Sequence, residues 1–116
     1  MSESIVAEKS KKFAIKIIRL YKSLCDEKHE YVLSKQVLRS ATSIGANICE
    51  AQCGQSKADF YAKMYISYKE SAETKYWLEL LHETDYISDS QFDELNSENQ
   101  EILKILAKIT KSQRNC

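Results

Sequence analysis

The chain has 116 residues with no Pro, two Gly and 43% hydrophobic residues. That is enough for one domain that hides roughly two-thirds of its unfolded surface, and too few turn formers for a β fold. Seventeen basic and seventeen acidic residues cancel, which excludes bulk attraction to nucleic acid or to a membrane and leaves only local segregation of charge to supply it.

An all-α chain is expected, with helices over about residues 5–24, 31–53, 57–84 and 89–110. No apolar run approaches the ~18 residues of a membrane span, and no signal-peptide pattern is present, so a cytoplasmic setting without membrane contact is expected. In the first helix Val6, Phe13, Ile17, Leu20, Tyr21 and Leu24 fall in one arc. Lys9, Lys11, Lys12, Lys16, Arg19 and Lys22 spread over the other, with no acid between positions 9 and 22. The stripe has two readings: a solvated face that pairs with acids of a neighbouring helix, or a set of phosphate contacts. The connection CDEKHEY breaks the apolar period without Gly or Pro, and His29 within it reads as an exposed loop residue without chemistry.

The second helix places Leu33, Val37, Leu38, Ala41, Ile44, Ile48 and Ala51 on one arc and Gln36, Arg39, Ser40, Ser43, Asn47 and Glu50 on the other. The polar arc is hydrogen-bonding rather than Lys/Glu-rich, as expected of a surface that touches something. Gly54 stands where a left-handed helix C-cap is wanted, and Ser56 follows as N-cap, with Asp59 three residues on. In the third helix Phe60, Met64, Tyr65, Tyr68, Ala72 and Tyr76 make the expected stripe, while Ile66, Trp77 and Leu81 lie off it. A helix with one buried face does not need them, so a second face buried against another copy of the chain is expected. The five tyrosines between 61 and 86 read as core and interface residues rather than as a base-stacking platform.

Ser88 and Gln91 have capping-box spacing, with Ile87 and Phe92 at staple positions. Phe92, Leu95, Ile102, Leu106 and Ile109 then form a bundle seam interrupted by Asn99, a device that fixes register at some cost in stability. From Glu79 to Glu101 there are eight acids and no Lys or Arg, whereas Lys104, Lys108, Lys111 and Arg114 follow. One end of the bundle is therefore expected to be acidic, and the last six residues, KSQRNC, to fray.

The run Leu38-Arg39-Ser40-Ala41-x-Ser43-Ile44-x-Ala46-Asn47-Ile48-x-Glu50, then Ser56-Lys57-x-Asp59-Phe60, then Glu73-Thr74-x-Tyr76-Trp77-Leu78-Glu79-Leu80-Leu81 closely resembles the bacterial four-helix bundle family of the 23S rRNA intervening-sequence protein. The resemblance implies a left-handed, antiparallel up-down four-helix bundle that assembles into a ring-like homopentamer, with no enzymatic activity. It also implies kinship with the accessory variability protein of diversity-generating retroelements, which binds nucleic acid and a reverse transcriptase and is strongly basic where this chain is neutral.

Catalytic chemistry finds little support. Glu79-x-x-His82 has di-metal spacing but no second copy, and neither a phosphate-binding Gly-rich loop nor a nucleophile elbow occurs. Cys25, Cys49, Cys53 and Cys116 read as reduced thiols in helix packing; Cys49 and Cys53 lack the two further ligands a zinc site needs. No metal, cofactor or catalytic residue is expected. The expected function is a non-enzymatic, self-associating binding or scaffold module. Its candidate RNA contacts are Lys9, Lys12, Lys16, Arg19 and Lys22, and its candidate subunit contacts are Arg39, Ser43, Asn47, Glu50, Ile66, Glu73 and Trp77. The alternative is a protein-interaction scaffold without a nucleic-acid role. Arg39 itself reads either as part of an interface network with Glu50 or Glu73, or as a phosphate contact.

Overall fold

Buried residues recur at alternating three- and four-residue steps in the computed structural model, which describes residues 2–114, with side chains from Glu3 to Ser112. The helices are α1 (Ser2–Asp26), α2 (Leu33–Gln52), α3 (Lys57–Glu83) and α4 (Asp89–Arg114). The stripe of α1 is Val6, Ser10, Phe13, Ile17, Leu20 and Leu24; α2 gives Ser34, Val37, Ala41, Ile44, Ile48 and Ala51. From α3 come Met64, Ser67, Ser71, Thr74, Leu78 and Leu81, and from α4 Leu95, Asn99, Ile102, Leu106 and Thr110. Such steps average 3.5 residues per turn, the period of a left-handed supercoil. Each helix packs on its neighbours in sequence, and α1 closes on α4. The result is an antiparallel up-down four-helix bundle, a rod of 46 × 21 × 20 Å.

Two expectations about these stripes are corrected. The buried face of α3 is half hydroxyl: Ser67 Oγ donates to the Ile44 carbonyl at 2.8 Å, Ser71 Oγ to Asn99 Oδ1 at 2.8 Å, and Thr74 Oγ1 to the Glu70 carbonyl at 2.8 Å. Leu81 belongs to this face, whereas Tyr65, Ala72 and Tyr76 point to solvent. Ser40, assigned to the outer arc of α2, is fully buried with its Oγ 2.8 Å from Thr74 Oγ1. Buried hydroxyls are tolerated because each finds a partner in its own or the facing helix. Asn99 interrupts the apolar seam and ties α4 to α3: its Nδ2 donates to the Ser71 carbonyl at 3.0 Å while its Oδ1 accepts from Ser71 Oγ.

The turns follow their residues closely, with one exception. Ser56 caps α3 by accepting from the Asp59 N–H at 3.1 Å. Ser88 and Gln91 form the reciprocal capping box, with N–H donors at 2.9 and 3.2 Å, and Ile87 is buried beside half-buried Phe92. Gly54, however, is not left-handed. Cys53 closes α2 through its N–H, and Gly54 is needed for space, since a Cβ there would lie 3.0 Å from the Ala51 carbonyl and 3.4 Å from the Phe60 nitrogen. The left-handed turn positions belong instead to His29 (φ 54°) and Asp85 (φ 67°), short polar turns where a single non-Gly residue tolerates this region.

The cap of α2 was not foreseen. Glu30, buried in the first connection, accepts from the N–H groups of Val32 (3.1 Å), Leu33 (3.0 Å) and Ser34 (2.7 Å), and its own carbonyl accepts from Ser34 Oγ at 2.8 Å. Burial pushes its carboxyl up, but these backbone donors and the Ser34 hydroxyl outweigh it and hold the group below the ordinary carboxylate range. At the other end, α4 runs on through Arg114 instead of fraying at 111; Cys116 lies outside the described residues.

Candidate functional site

Antiparallel packing sets the lysines of α1 against the acids of α4. Lys9 Nζ lies 2.9 Å from Glu101, and Lys16 Nζ lies 2.7 Å from Glu94 and 2.5 Å from Glu98. Lys12 pairs within α1 with Glu8 at 3.2 Å. The hydrogen bonds that Lys16 donates to Glu94 and Glu98 hold its ammonium above the usual value, and the one from Lys9 lowers the Glu101 carboxyl. The five candidate RNA contacts therefore do not form one free surface. Lys9 and Lys16 line the α1–α4 seam, where a groove of about 350 Å³ is bounded by Lys16, Arg19, Leu20, Gln91 and Glu94. Arg19 and Lys22 stay exposed and make no ion pair among the described residues. The solvated, acid-paired reading describes half of the stripe, and the outer half, Lys11, Arg19 and Lys22, is exposed without an ion pair among the described residues.

The candidate subunit contacts gather along the seam between α2 and α3. Arg39 bonds to Glu73, reaches Glu70 at 3.4 Å and sits 3.5 Å from Gln36 Oε1. Trp77 Nε1 donates to the same Glu73 Oε2 at 2.8 Å. Asn47 Nδ2 donates to the Ser43 carbonyl at 2.8 Å, and Glu50 pairs with Lys63 at 2.9 Å rather than with Arg39. Ile66 and Trp77 are half-buried. Of the two expected acidic partners of Arg39, the structure selects Glu73, and the network is complete within one chain: a polar clip across two helices whose outer rim stays open.

Away from that seam, several residues stand in unexpected settings. Tyr65 and Tyr76 are 43% and 54% exposed, which takes them out of the core of one chain and leaves the interface half of their expected role. Tyr65 stacks on Tyr68 (6.0 Å, 20° between planes) and carries Lys69 Nζ 5.4 Å above its ring. Cys49 and Cys53 are exposed, not packed, and Cys25 is half-buried with its Sγ 3.8 Å from Ser34 Oγ. His82 of the Glu79-x-x-His82 pair contacts Asp89 at 2.7 Å and stacks on Phe92 (4.4 Å, 10°), joining α3 to α4. Among the described residues no three His, Cys, Asp or Glu side chains converge as a metal site would require, and no helix is long and apolar enough to cross a membrane. Sequence reasoning passed over Lys104, Lys108 and Lys111, which it met only as the end of an acidic segment. They are exposed on α4 and unpaired among the described residues.

Residues 2–108 match the model of a family described as 23S rRNA-intervening sequence protein. The chain is also similar to a protein of unknown function from the S23 ribosomal protein family of Bacteroides thetaiotaomicron, known from a crystal structure. Identity is 51%, the match covers 96% of this chain and 99% of that one, and the TM-score is 0.93. Comparison with curated proteins gives no match.

Proposed function

The chain belongs to the 23S rRNA-intervening sequence protein family, and from that premise we propose that it is a non-enzymatic, self-associating binding module, cytoplasmic, that engages RNA or an RNA-bearing assembly. The observation that supports RNA contact is the outer face of α1. There Lys11, Arg19 and Lys22 are exposed cations left over after the α4 carboxylates have taken Lys9 and Lys16. Lysine and arginine on one helix face that have no protein acid to satisfy are suited to phosphate oxygens. Arg19→Ala combined with Lys22→Ala is expected to weaken binding of a ribosomal RNA fragment at low salt and to lower the slope of log affinity against log salt by about 2. Fluorescence anisotropy across a salt series measures it, and a slope equal to that of the wild type removes this face from the reading.

Self-association is supported by apolar surface that the bundle does not cover. Half-buried Trp77 with its exposed, T-shaped neighbour Tyr76 lies beside the Arg39 clip, on α3 and away from the α1 face assigned to RNA. The homopentamer implied by the family resemblance is the assembly proposed. Arg39→Ala is expected to change monomer stability by no more than about 1 kcal/mol, because its pairs are half exposed, while shifting the assembly toward smaller species in sedimentation velocity. An unchanged sedimentation profile takes Arg39 out of the interface. A protein-interaction scaffold without RNA is the second reading, favoured by the acidic run Glu79–Glu101; absence of RNA binding at low salt would select it.

A further inference from the structure

The bundle is electrically lopsided in a way that the α1 stripe does not reveal. The N-terminal half of α3 and the C-terminal half of α4 lie at the same end of the rod because consecutive helices are antiparallel. At that end a groove of about 260 Å³ is lined by Glu3, Phe60, Tyr61, Lys108, Ile109 and Ser112, which sets an aromatic ring of α3 beside a lysine of α4. Tyr61 and Lys108 share this lining, and helical spacing places the residues beyond them. Tyr65 and Lys69 follow Tyr61 at four-residue steps on α3, and Lys104 and Lys111 stand four before and three after Lys108 on α4, the spacings that keep side chains on one helix face. The register agrees with the buried Ser71–Asn99 contact between the same two helices. Tyr61, Tyr65 and Lys69 on α3 therefore run antiparallel to Lys111, Lys108 and Lys104 on α4, meeting at the Tyr61–Lys108 groove.

Charge accounting favours an anionic occupant. Lys69, Lys104, Lys108 and Lys111 are exposed and form no ion pair among the described residues. Glu101, which feels the charge of Lys104, is hydrogen-bonded to Lys9, and Glu50 pairs with Lys63. Glu3 is the one carboxylate in the groove wall. Exposed Tyr65 has Tyr68 stacked against it and the Lys69 ammonium 5.4 Å over its ring, so a base that stacks there displaces that ammonium toward its own phosphate. That combination suits unpaired bases better than a duplex, whose bases are stacked on each other and closed to a protein ring.

We propose that the Tyr61–Tyr65–Lys69 row of α3 and the Lys104–Lys108–Lys111 row of α4 form a binding surface for single-stranded nucleic acid, with Tyr65 stacking a base and the lysines holding phosphates. The inference rests on the reading that RNA is the partner class and adds the form in which it is bound. It places the contact on a face separate from Arg19 and Lys22.

The test is anisotropy of labelled oligouridylate and oligothymidylate, with a duplex RNA as a third probe, on the full chain. Tyr65→Ala is expected to weaken single-strand binding about tenfold or more, and Tyr65→Phe, which keeps the ring, to bind as the wild type does. Lys104→Gln, Lys108→Gln and Lys111→Gln together should lower the salt slope for a single strand by about 2. Both single strands bearing out these effects supports the surface, and the tighter one identifies RNA or DNA as the source. Wild-type affinity in Tyr65→Ala, or an equal loss in Tyr65→Phe, overturns the stacking role. Duplex RNA binding that is lost with Arg19 and Lys22 but is unaccompanied by single-strand binding overturns this inference alone, while no binding of any probe overturns it together with the RNA reading.

Discussion

Asn99→Asp is expected to remove about 3–5 kcal/mol of stability at neutral pH and to recover much of it in acid. Asn99 is fully buried and bonds to Ser71 twice, as acceptor from the hydroxyl and as donor to the carbonyl. A carboxylate keeps the acceptor, loses the donor and brings an unpaired charge into the seam. Burial raises the carboxyl's folded-state pKa above its unfolded value of about 3.9. The protonated form, whose O–H can replace the lost donor, is therefore favoured in the folded state. The sign follows: the variant is most stable below the unfolded value and loses stability as pH rises through the folded one. Urea denaturation of both proteins across this range measures the difference, and a stability gap that did not narrow on acidification would show that position 99 is wet.

Glu30→Ala is expected to cost about 2–3 kcal/mol, from the loss of one carboxylate that serves three N–H groups at the start of α2. Glu30→Gln, which keeps one acceptor oxygen without the charge, should cost less. The pH dependence runs opposite to that of Asn99→Asp. Because the folded carboxyl titrates below its ordinary value, its contribution is complete above the unfolded glutamate value of about 4.3. It disappears as pH falls through the folded value. The wild-type advantage over Glu30→Gln should therefore shrink in acid, as urea midpoints would show; a gap independent of pH would mean that geometry alone, not charge, makes the cap.

Where local chemistry decided a feature, the sequence was sufficient. The Ser56 cap, the Ser88–Gln91 box and the polar break at Asn99 each depend on residues a few positions apart or on one polar residue interrupting an apolar seam. Where two helices share a decision, reading failed. The core stripe of α3 is written in Ser67, Ser71 and Thr74, which count as polar until Ile44, Asn99 and the helix's own carbonyls are known to face them. With those three counted as polar, the tyrosines at helical spacing take the place of the stripe, although Tyr65 and Tyr76 face solvent. Glu30 was missed because its acceptor oxygens sit ahead of the helix they cap, in a stretch that shows no periodicity. For the candidate site the same distinction holds: the cations of α1 were visible, but which of them are spent on Glu94, Glu98 and Glu101 depends on α4 closing against α1, a fact of topology.

The first and last helices meet along the least extensive of the four helix contacts, and the groups spanning it are lysine and glutamate. Ions in solution weaken such pairs but leave aliphatic contacts intact, so brine unfastens only the rim of this edge, while Phe13, Ile17, Leu95 and Ile102 beneath it stay within the one buried cluster that keeps the rod shut.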